Sequence, residues 1–170
     1  QKLNPNWDGV ICLPGTHTKW VQMSAGEIVS FQTFMTGEIF ALLSTASVLQ
    51  HSVNSDGWDQ EAFDQAVDEA ISRPEAIAAR LFGLRAGSLL NDLPATTAKS
   101  RLSGLLIGAE LAAAKPYWLG QSLAMIGPKS MGDGYAAALA AQHVPVIRTD
   151  TTQMTLAGLK AVYASWKETL

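Results

Sequence analysis

The sequence predicts an α/β domain on a mixed five-stranded sheet, in the order βββα, a helical insertion, then βαβα. Three observations carry this. The first 35 residues hold three β-rich runs separated by turns, the apolar period lengthens to a helical one from residue 36 to about 115, and short apolar runs then alternate with helical segments.

The first two strands are "GVICL" (9–13), apolar and β-branched, and "KWVQM" (19–23), which alternates. The turn "SAG" (24–26) leads into "EIVSFQTFM" (27–35), where Ile28, Ser30 and Gln32 oppose Val29, Phe31 and Thr33 before the run turns apolar. "TGEIFALLSTASVLQ" (36–50) reads as a helix with Ile39, Leu42, Leu43, Ala46 and Leu49 on one face. Thr36 is its expected N-cap, and Glu38 lies in the first turn, where negative charge suits the helix dipole. "WDQEAFDQAVDEAIS" (58–72) forms a second helix with Phe63, Ala66, Val67, Ala70 and Ile71 inward. Pro74 opens a third, expected to break near Gly83 and Gly87, and Pro94 opens a fourth that ends at Lys115-Pro116.

"SLAMIG" (122–127) is a short buried strand, "GYAAALAAQ" (134–142) a small-residue helix and "VPVIR" (144–148) another strand. The last helix, 151–168, carries an apolar stripe of Leu156, Leu159, Val162, Tyr163 and Trp166. Three antiparallel strands, a helix and parallel βα units give the ribonuclease-H-like arrangement, with binding crevices expected at strand ends. Two such lobes facing each other make the actin-like ATPase and sugar-kinase architecture, and this chain contains one. The opening "QKLNPNWDG" starts without methionine and reads like a linker, so the chain is expected to be part of something longer.

Composition narrows the function classes. Apolar residues make up 48% and charged residues 16%, which argues for a folded domain rather than disorder. A net charge of −3 offers no electrostatic basis for binding nucleic acid or an anionic membrane, so an anionic ligand must be held by local geometry. No apolar run approaches 18 residues and the first residues are polar, so no signal peptide or span is expected. Cys12 is the sole cysteine, fits a reducing cytoplasmic setting and reads as a small core hydrophobe rather than a nucleophile paired with His17. His17, His51 and His143 lie far apart and show no metal-ligand spacing, so no metal ligands are assigned.

Three features carry chemistry. "PGTHTK" (14–19) joins two strands with a glycine, two hydroxyls, an imidazole and an ammonium. Gly15 allows close approach to the backbone, successive N–H groups can form an anion-binding nest, Thr16 and Thr18 offer hydroxyls and Lys19 a positive charge. A solvent-exposed hairpin tip would use the same residues. "MIGPKSMGDGY" (125–135) leaves a strand at Gly127 and enters a helix near Gly134, so Gly127 to Ser130 could lie against adenine and ribose; an ordinary strand-to-helix loop is the plain alternative. Gly104, Gly108 and Ala112 recur every four residues on one helix face and permit close packing of another helix or of a partner lobe.

Together "ICLPGTHTKWV", "FQTFMTGEIFALL", "SGLLIGAELAAA" and the late "IG…Y…AL" stretch resemble the C-terminal half of the 2-dehydro-3-deoxygalactonokinases, members of the actin-like sugar-kinase superfamily. The resemblance covers most of the chain and is least diagnostic over 52–100. It implies that residues 1–170 form a C-terminal nucleotide-binding lobe with a helical insertion over about 52–115, and that the N-terminal substrate lobe lies outside this sequence. By it, Gly15, Thr16, His17, Thr18 and Lys19 correspond to the second phosphate loop, and Gly127, Pro128, Lys129 and Ser130 to the adenosine motif. The implied reaction transfers the γ-phosphoryl group of ATP, with Mg²⁺, to 2-dehydro-3-deoxy-D-galactonate to give its 6-phosphate. The general base is expected in the absent lobe. Glu38 is a candidate acid, at a strand-to-helix corner that could face the cleft and contact substrate or Mg²⁺-bound water, although an acid in a first helical turn is commonly explained by the dipole alone. Asp56, Asp59, Asp68 and Glu69 read as solvated, and Asp150 as the start of the last helix.

The implied partners are a small sugar acid, the N-terminal lobe and, as an open question, a second copy of the chain. The alternatives are a non-catalytic nucleotide-binding module, an interaction fragment, or a kinase lobe for another sugar acid.

Overall fold

The computed structural model describes residues 7–168, and the linker-like reading of residues 1–6 lies outside them. Strands β1 (Gly9–Leu13), β2 (Thr18–Ser24) and β3 (Glu27–Phe34) are followed by α1 (Thr36–Ala46). Then come α2 (Gln60–Ser72), α3 (Ile77–Leu90), α4 (Ala95–Ala113) and the single turn α5 (Lys115–Trp118), and finally β4 (Leu123–Ile126), α6 (Lys129–Ala141), β5 (Val146–Thr149) and α7 (Thr151–Glu168). The five strands form one mixed sheet in the order β3-β2-β1-β4-β5. The pairs β1–β2 and β2–β3 are antiparallel; β1–β4 and β4–β5 are parallel.

Alternation along the strands divides the sheet into two unlike faces. Val10, Cys12, Trp20, Leu123 and Met125 are buried on one face and share a core with Ile107 and Leu111 of α4 and Ala138 and Leu139 of α6. On the opposite face Phe31, Val21, Ile11, Ala124 and Ile147 stand in register across all five strands. Phe31 is 68% exposed and Ile147 57%, while Ile11, Val21 and Ala124 between them are half-buried.

The helical insertion packs on itself and on the sheet's covered side. Position 104 carries no side chain where the helices cross: a Cβ there would lie 2.4 Å from the Phe63 carbonyl oxygen, and one at 108 would lie 2.6 Å from that of Val67. The four-residue glycine spacing therefore serves the contact of α4 with α2 inside the chain. Phe63, Ala66, Val67 and Ala70 of α2 are buried as expected. Glu69, read as solvated, instead accepts two hydrogen bonds from Arg101 of α4, at 3.0 and 2.9 Å, and lies near Arg80 of α3. Asp59, also read as solvated, caps α2. Its Oδ1 accepts from the Ala62 N–H at 3.1 Å, and its Oδ2 accepts from Thr97 at 2.8 Å.

Other expectations are corrected. The helix from 36 stops at Ala46, where the hydroxyls of Ser44, Thr45 and Ser47 donate back to the carbonyls of Phe40, Ala41 and Leu43; a 3₁₀ turn, Val48–His51, follows. Its inward face is Thr36, Phe40 and Leu43, whereas Ile39 and Leu42 are exposed. Thr36 is not the cap. Met35 holds that position, and the Thr36 hydroxyl points into the core. The third helix is continuous through Gly83 and Gly87, because burial of Leu84 offsets a glycine cost of about 1 kcal/mol in a helix. The late helix begins at Lys129 rather than near Gly134, which places Gly132 and Gly134 inside it. Asp150 does start the last helix, accepting from the Gln153 N–H at 2.8 Å. The stripe of that helix is exposed rather than buried: Leu156, Leu159, Val162, Tyr163 and Trp166 are all more than half exposed.

Gly104→Ala is expected to destabilise the chain by about 1–3 kcal/mol in urea unfolding, because the obstructing atom is backbone and the helices must separate. Asp59 gives a pH signature. The Ala62 N–H, then the Thr97 hydroxyl, hold its carboxyl below the ordinary range, so its contribution is present above the unfolded-state pKa and is lost as pH falls through the folded one. The difference in melting temperature between wild type and Asp59→Ala is expected to be full at neutral pH and to shrink in acid.

Candidate nucleotide cleft

The hairpin segment after β1 is locked against the start of α1. The Thr16 carbonyl accepts a 2.9 Å hydrogen bond from the Glu38 N–H, and His17 Nε2 lies 2.5 Å from Glu38 Oε2. At Gly37 a Cβ would stand 2.4 Å from the Gly15 carbonyl oxygen and 2.9 Å from the Thr16 Cα. Only glycine allows this approach. Gly15 itself has room, since a Cβ there would meet nothing closer than 3.7 Å. The crowded glycine of the pair is therefore Gly37, which the local pattern did not single out.

This junction forms one wall of a cleft of about 720 Å³. Gly15, Thr36 and Gly37 lie at one side, Ser130, Asp133 and Tyr135 of α6 at another, and the insertion closes the cleft with Asp56, Trp58 and Lys99. The floor is apolar, with Phe40, Leu106 and Ile107. Trp58 is 46% exposed yet held in place: its indole N–H donates to Gln60 Oε1 at 2.9 Å, and its ring lies 5.1 Å from that of Phe63. The Lys99 ammonium donates to the Ser55 carbonyl at 2.5 Å. The N-terminal turn of α6 can hold an anion, while an aromatic and aliphatic floor can take a flat ring.

The expected site residues divide accordingly. Gly15 and Ser130 line the cleft. Thr16 and His17 are exposed beside it. Thr18 is drawn inward instead: fully buried, its hydroxyl bonds the Tyr135 hydroxyl at 2.8 Å and is not offered to a ligand. Lys19 is exposed on the opposite face of β2 from Thr18 and Trp20, and its ammonium turns back to the His17 carbonyl at 3.2 Å. Gly127 packs on Pro14, with a Cβ position 3.1 Å from Pro14 Cδ, so the loop after β4 abuts the hairpin segment. Pro128 caps α6 and Lys129 begins it; both are exposed. Asp56, expected to be merely solvated, lies on the cleft rim. Glu38 is engaged by His17 and by the dipole of α1.

Beneath the cleft floor is a buried polar cluster that local patterning had missed. Glu110 of α4 is 3% exposed. Its Oε1 accepts from the Trp20 indole N–H at 2.7 Å, and its Oε2 accepts from the Tyr135 hydroxyl at 2.7 Å and from the Thr36 hydroxyl. Burial pushes the Glu110 carboxyl above its ordinary range, and the donors from Thr36, Tyr135 and Trp20 oppose that shift without cancelling it. Burial, then the Glu110 charge, raises the Tyr135 hydroxyl. The same two causes hold the Cys12 thiol well above its usual value, which removes it as a nucleophile. Among the described residues no group of three His, Cys, Asp or Glu side chains is placed to hold a metal ion, and no helix is long and apolar enough to cross a membrane.

The profile of the family described as 2-keto-3-deoxy-galactonokinase matches residues 1–162. The chain belongs to that family. It is 35% identical over 156 residues to a probable 2-dehydro-3-deoxygalactonokinase of Rhizobium meliloti (strain 1021), covering 89% of this chain and 51% of the relative. It is 32% identical over 151 residues to the 2-dehydro-3-deoxygalactonokinase of Escherichia coli (strain K12), covering 88% and 51%. The fold superposes with a TM-score of 0.86 on a crystal structure from Sinorhizobium meliloti assigned to the same kinases, at 35% identity, covering 92% of this chain and 53% of that one. The chain thus spans about half the length of the curated relatives it matches.

The two glycines of the junction provide a test. Gly37→Ala is expected to destabilise the chain by about 1–3 kcal/mol in urea unfolding, while Gly15→Ala changes stability by less than about 1 kcal/mol.

Proposed function

We propose that this chain is the nucleotide-binding lobe of a kinase that transfers the γ-phosphoryl group of ATP to 2-dehydro-3-deoxy-D-galactonate, giving the 6-phosphate. The observation that carries the proposal is the cleft in which the Gly15 segment, locked to α1, faces the N-terminal turn of α6 in a chain of this kinase family. On this reading the sheet is one ribonuclease-H-like lobe of an actin-like kinase, spanning 1–170 with the insertion over about 52–115.

Phosphoryl transfer demands positioning and charge stabilisation more than covalent chemistry from the protein. Backbone N–H groups around Gly15 and Thr16, with the Thr16 hydroxyl, would hold the phosphates. The turn Lys129–Ser130 would add donors at the N-terminus of α6, and Gly127 and Pro128 would set the loop that delivers them. Phe40, Trp58, Leu106 and Ile107 supply an apolar floor suited to the adenine ring. The His17–Glu38 pair braces the loop, and Lys19 caps it through the His17 carbonyl. The described residues do not fit a dedicated Mg²⁺ cage, so the ion is expected to arrive on the triphosphate, and none of these roles depends on it.

The acceptor sugar acid and its general base are assigned to the half of the enzyme that lies outside this sequence. The row from Phe31 to Ile147, exposed at those two ends, and the exposed stripe of α7 provide apolar surface for that half. On this reading the reaction is placed in the cytoplasm.

The decisive experiment is ADP release by the full-length enzyme carrying this half, with ATP and Mg²⁺, comparing 2-dehydro-3-deoxygalactonate with galactonate. Release with the keto acid alone is expected; release with neither would withdraw the substrate. Thr16→Ala is expected to lower turnover more than about tenfold with the fold retained, and an unchanged rate would remove the phosphate-loop role.

A further inference from the structure

The buried carboxylate of Glu110, on α4, joins three further elements around the cleft. Through Trp20 it holds β2 just beyond the hairpin segment, through Thr36 the first turn of α1, and through Tyr135 the α6 wall. Thr36 and Tyr135 themselves line the cleft. Trp20 is fully buried, Tyr135 is 4% exposed and Thr36 9%, so water does not compete for these bonds.

The direction of the chain can be worked out from donor inventory. The carboxylate can only accept, and the Tyr135 hydroxyl has one proton, which goes to Glu110. The Thr18 hydroxyl must therefore donate to Tyr135. Glu110 thereby orders a one-way relay that crosses from β2 to α6 and ends on the same oxygen that receives Thr36. Thr36 is followed directly by Gly37, whose close contact with Gly15 depends on where α1 begins.

We propose that Glu110 is a positioning residue that sets the distance between the hairpin segment, the start of α1 and the α6 wall, and so the width of the nucleotide cleft. The clamp is a property of the chain, while its consequence for nucleotide rests on the reading given above. It is a role distinct from core filling. A leucine could fill the volume, but only an acceptor with two oxygens can draw Trp20 to one side and two hydroxyls to the other.

Glu110→Gln separates these roles. The amide oxygen can still accept from Trp20, which can only donate, and the amide N–H₂ then faces Thr36 and Tyr135. Both hydroxyls must turn to accept, which reverses the relay while shape and volume are kept. Hydrogen exchange followed by mass spectrometry or NMR on the 170-residue chain reads the outcome. Exchange is expected to quicken about tenfold or more at the Glu38 amide and in the first turns of α6, with the β1 amide of Val10, which bonds the Ser122 carbonyl, unchanged. An unchanged pattern, or a uniform loss of protection across the sheet, would overturn the clamp.

Thr36→Val is the second variant, which decides the matter if Glu110→Gln does not fold. It removes one arm at nearly constant volume, so exchange is expected to quicken at Glu38 and not in α6; no change at Glu38 would overturn the proposal. Titration of the same proteins with a fluorescent ADP analogue and Mg²⁺ addresses nucleotide separately. Affinity is expected to fall at least fivefold in both variants. Failure of the wild-type chain to bind the analogue would remove the nucleotide reading, and the exchange pattern would still decide the clamp.

Discussion

A carboxylate buried under the cleft imposes the central constraint on this fold. Removing a charge from water costs several kcal/mol, and hydrogen bonds to a charged group each return about 1.5–3 kcal/mol, so Glu110 is tolerable inside only if several donors reach it together. They come from β2, α1 and α6, while the carboxylate itself belongs to α4. The insertion helix and the sheet lobe cannot move independently without stranding that charge. No buried side-chain polar atom among the described residues is left without a partner, so the constraint is met throughout.

The glycines act at a second level of the same geometry. Gly104 and Gly108 let α4 lie directly on the backbone of α2, and this close crossing sets Glu110 at the depth where the indole and the two hydroxyls can reach it. Gly37 then lets the hairpin segment close on α1. Side-chain volume is absent at each place where two backbones must nearly touch, and the polar cluster occupies the space behind those contacts. The cleft has two chemistries as a result: polar side chains of Asp56, Lys99 and Ser130 at its edge and an apolar floor from α1 and α4.

The two faces of the sheet differ in how they are covered. The helices cover one face of the sheet, while the opposite apolar row is half-buried at its centre and exposed at Phe31 and Ile147, and the stripe of α7 is exposed. The chain spans about half the length of the kinase relatives it matches, and these apolar surfaces are exposed on it.

Local pattern determined a great deal here. Strand alternation, the helical period of α2 and α4 and the turn residues placed nearly every element, because each depends on neighbours within a few residues. The motifs around Gly15 also pointed to the family that the comparisons bear out. Tertiary structure alone decided the rest. Thr36 looks like a helix cap until a buried acceptor 74 residues away claims its hydroxyl, and Thr18 looks like a ligand donor until Tyr135, 117 residues on, takes it. The face of α1 that turns inward, the glycine that is obligatory at the junction and the partners of Glu69 follow from the same cause. A hydrogen bond or a close backbone approach between distant segments leaves no periodic trace in the sequence, and its competition with local preference is resolved only when the core assembles.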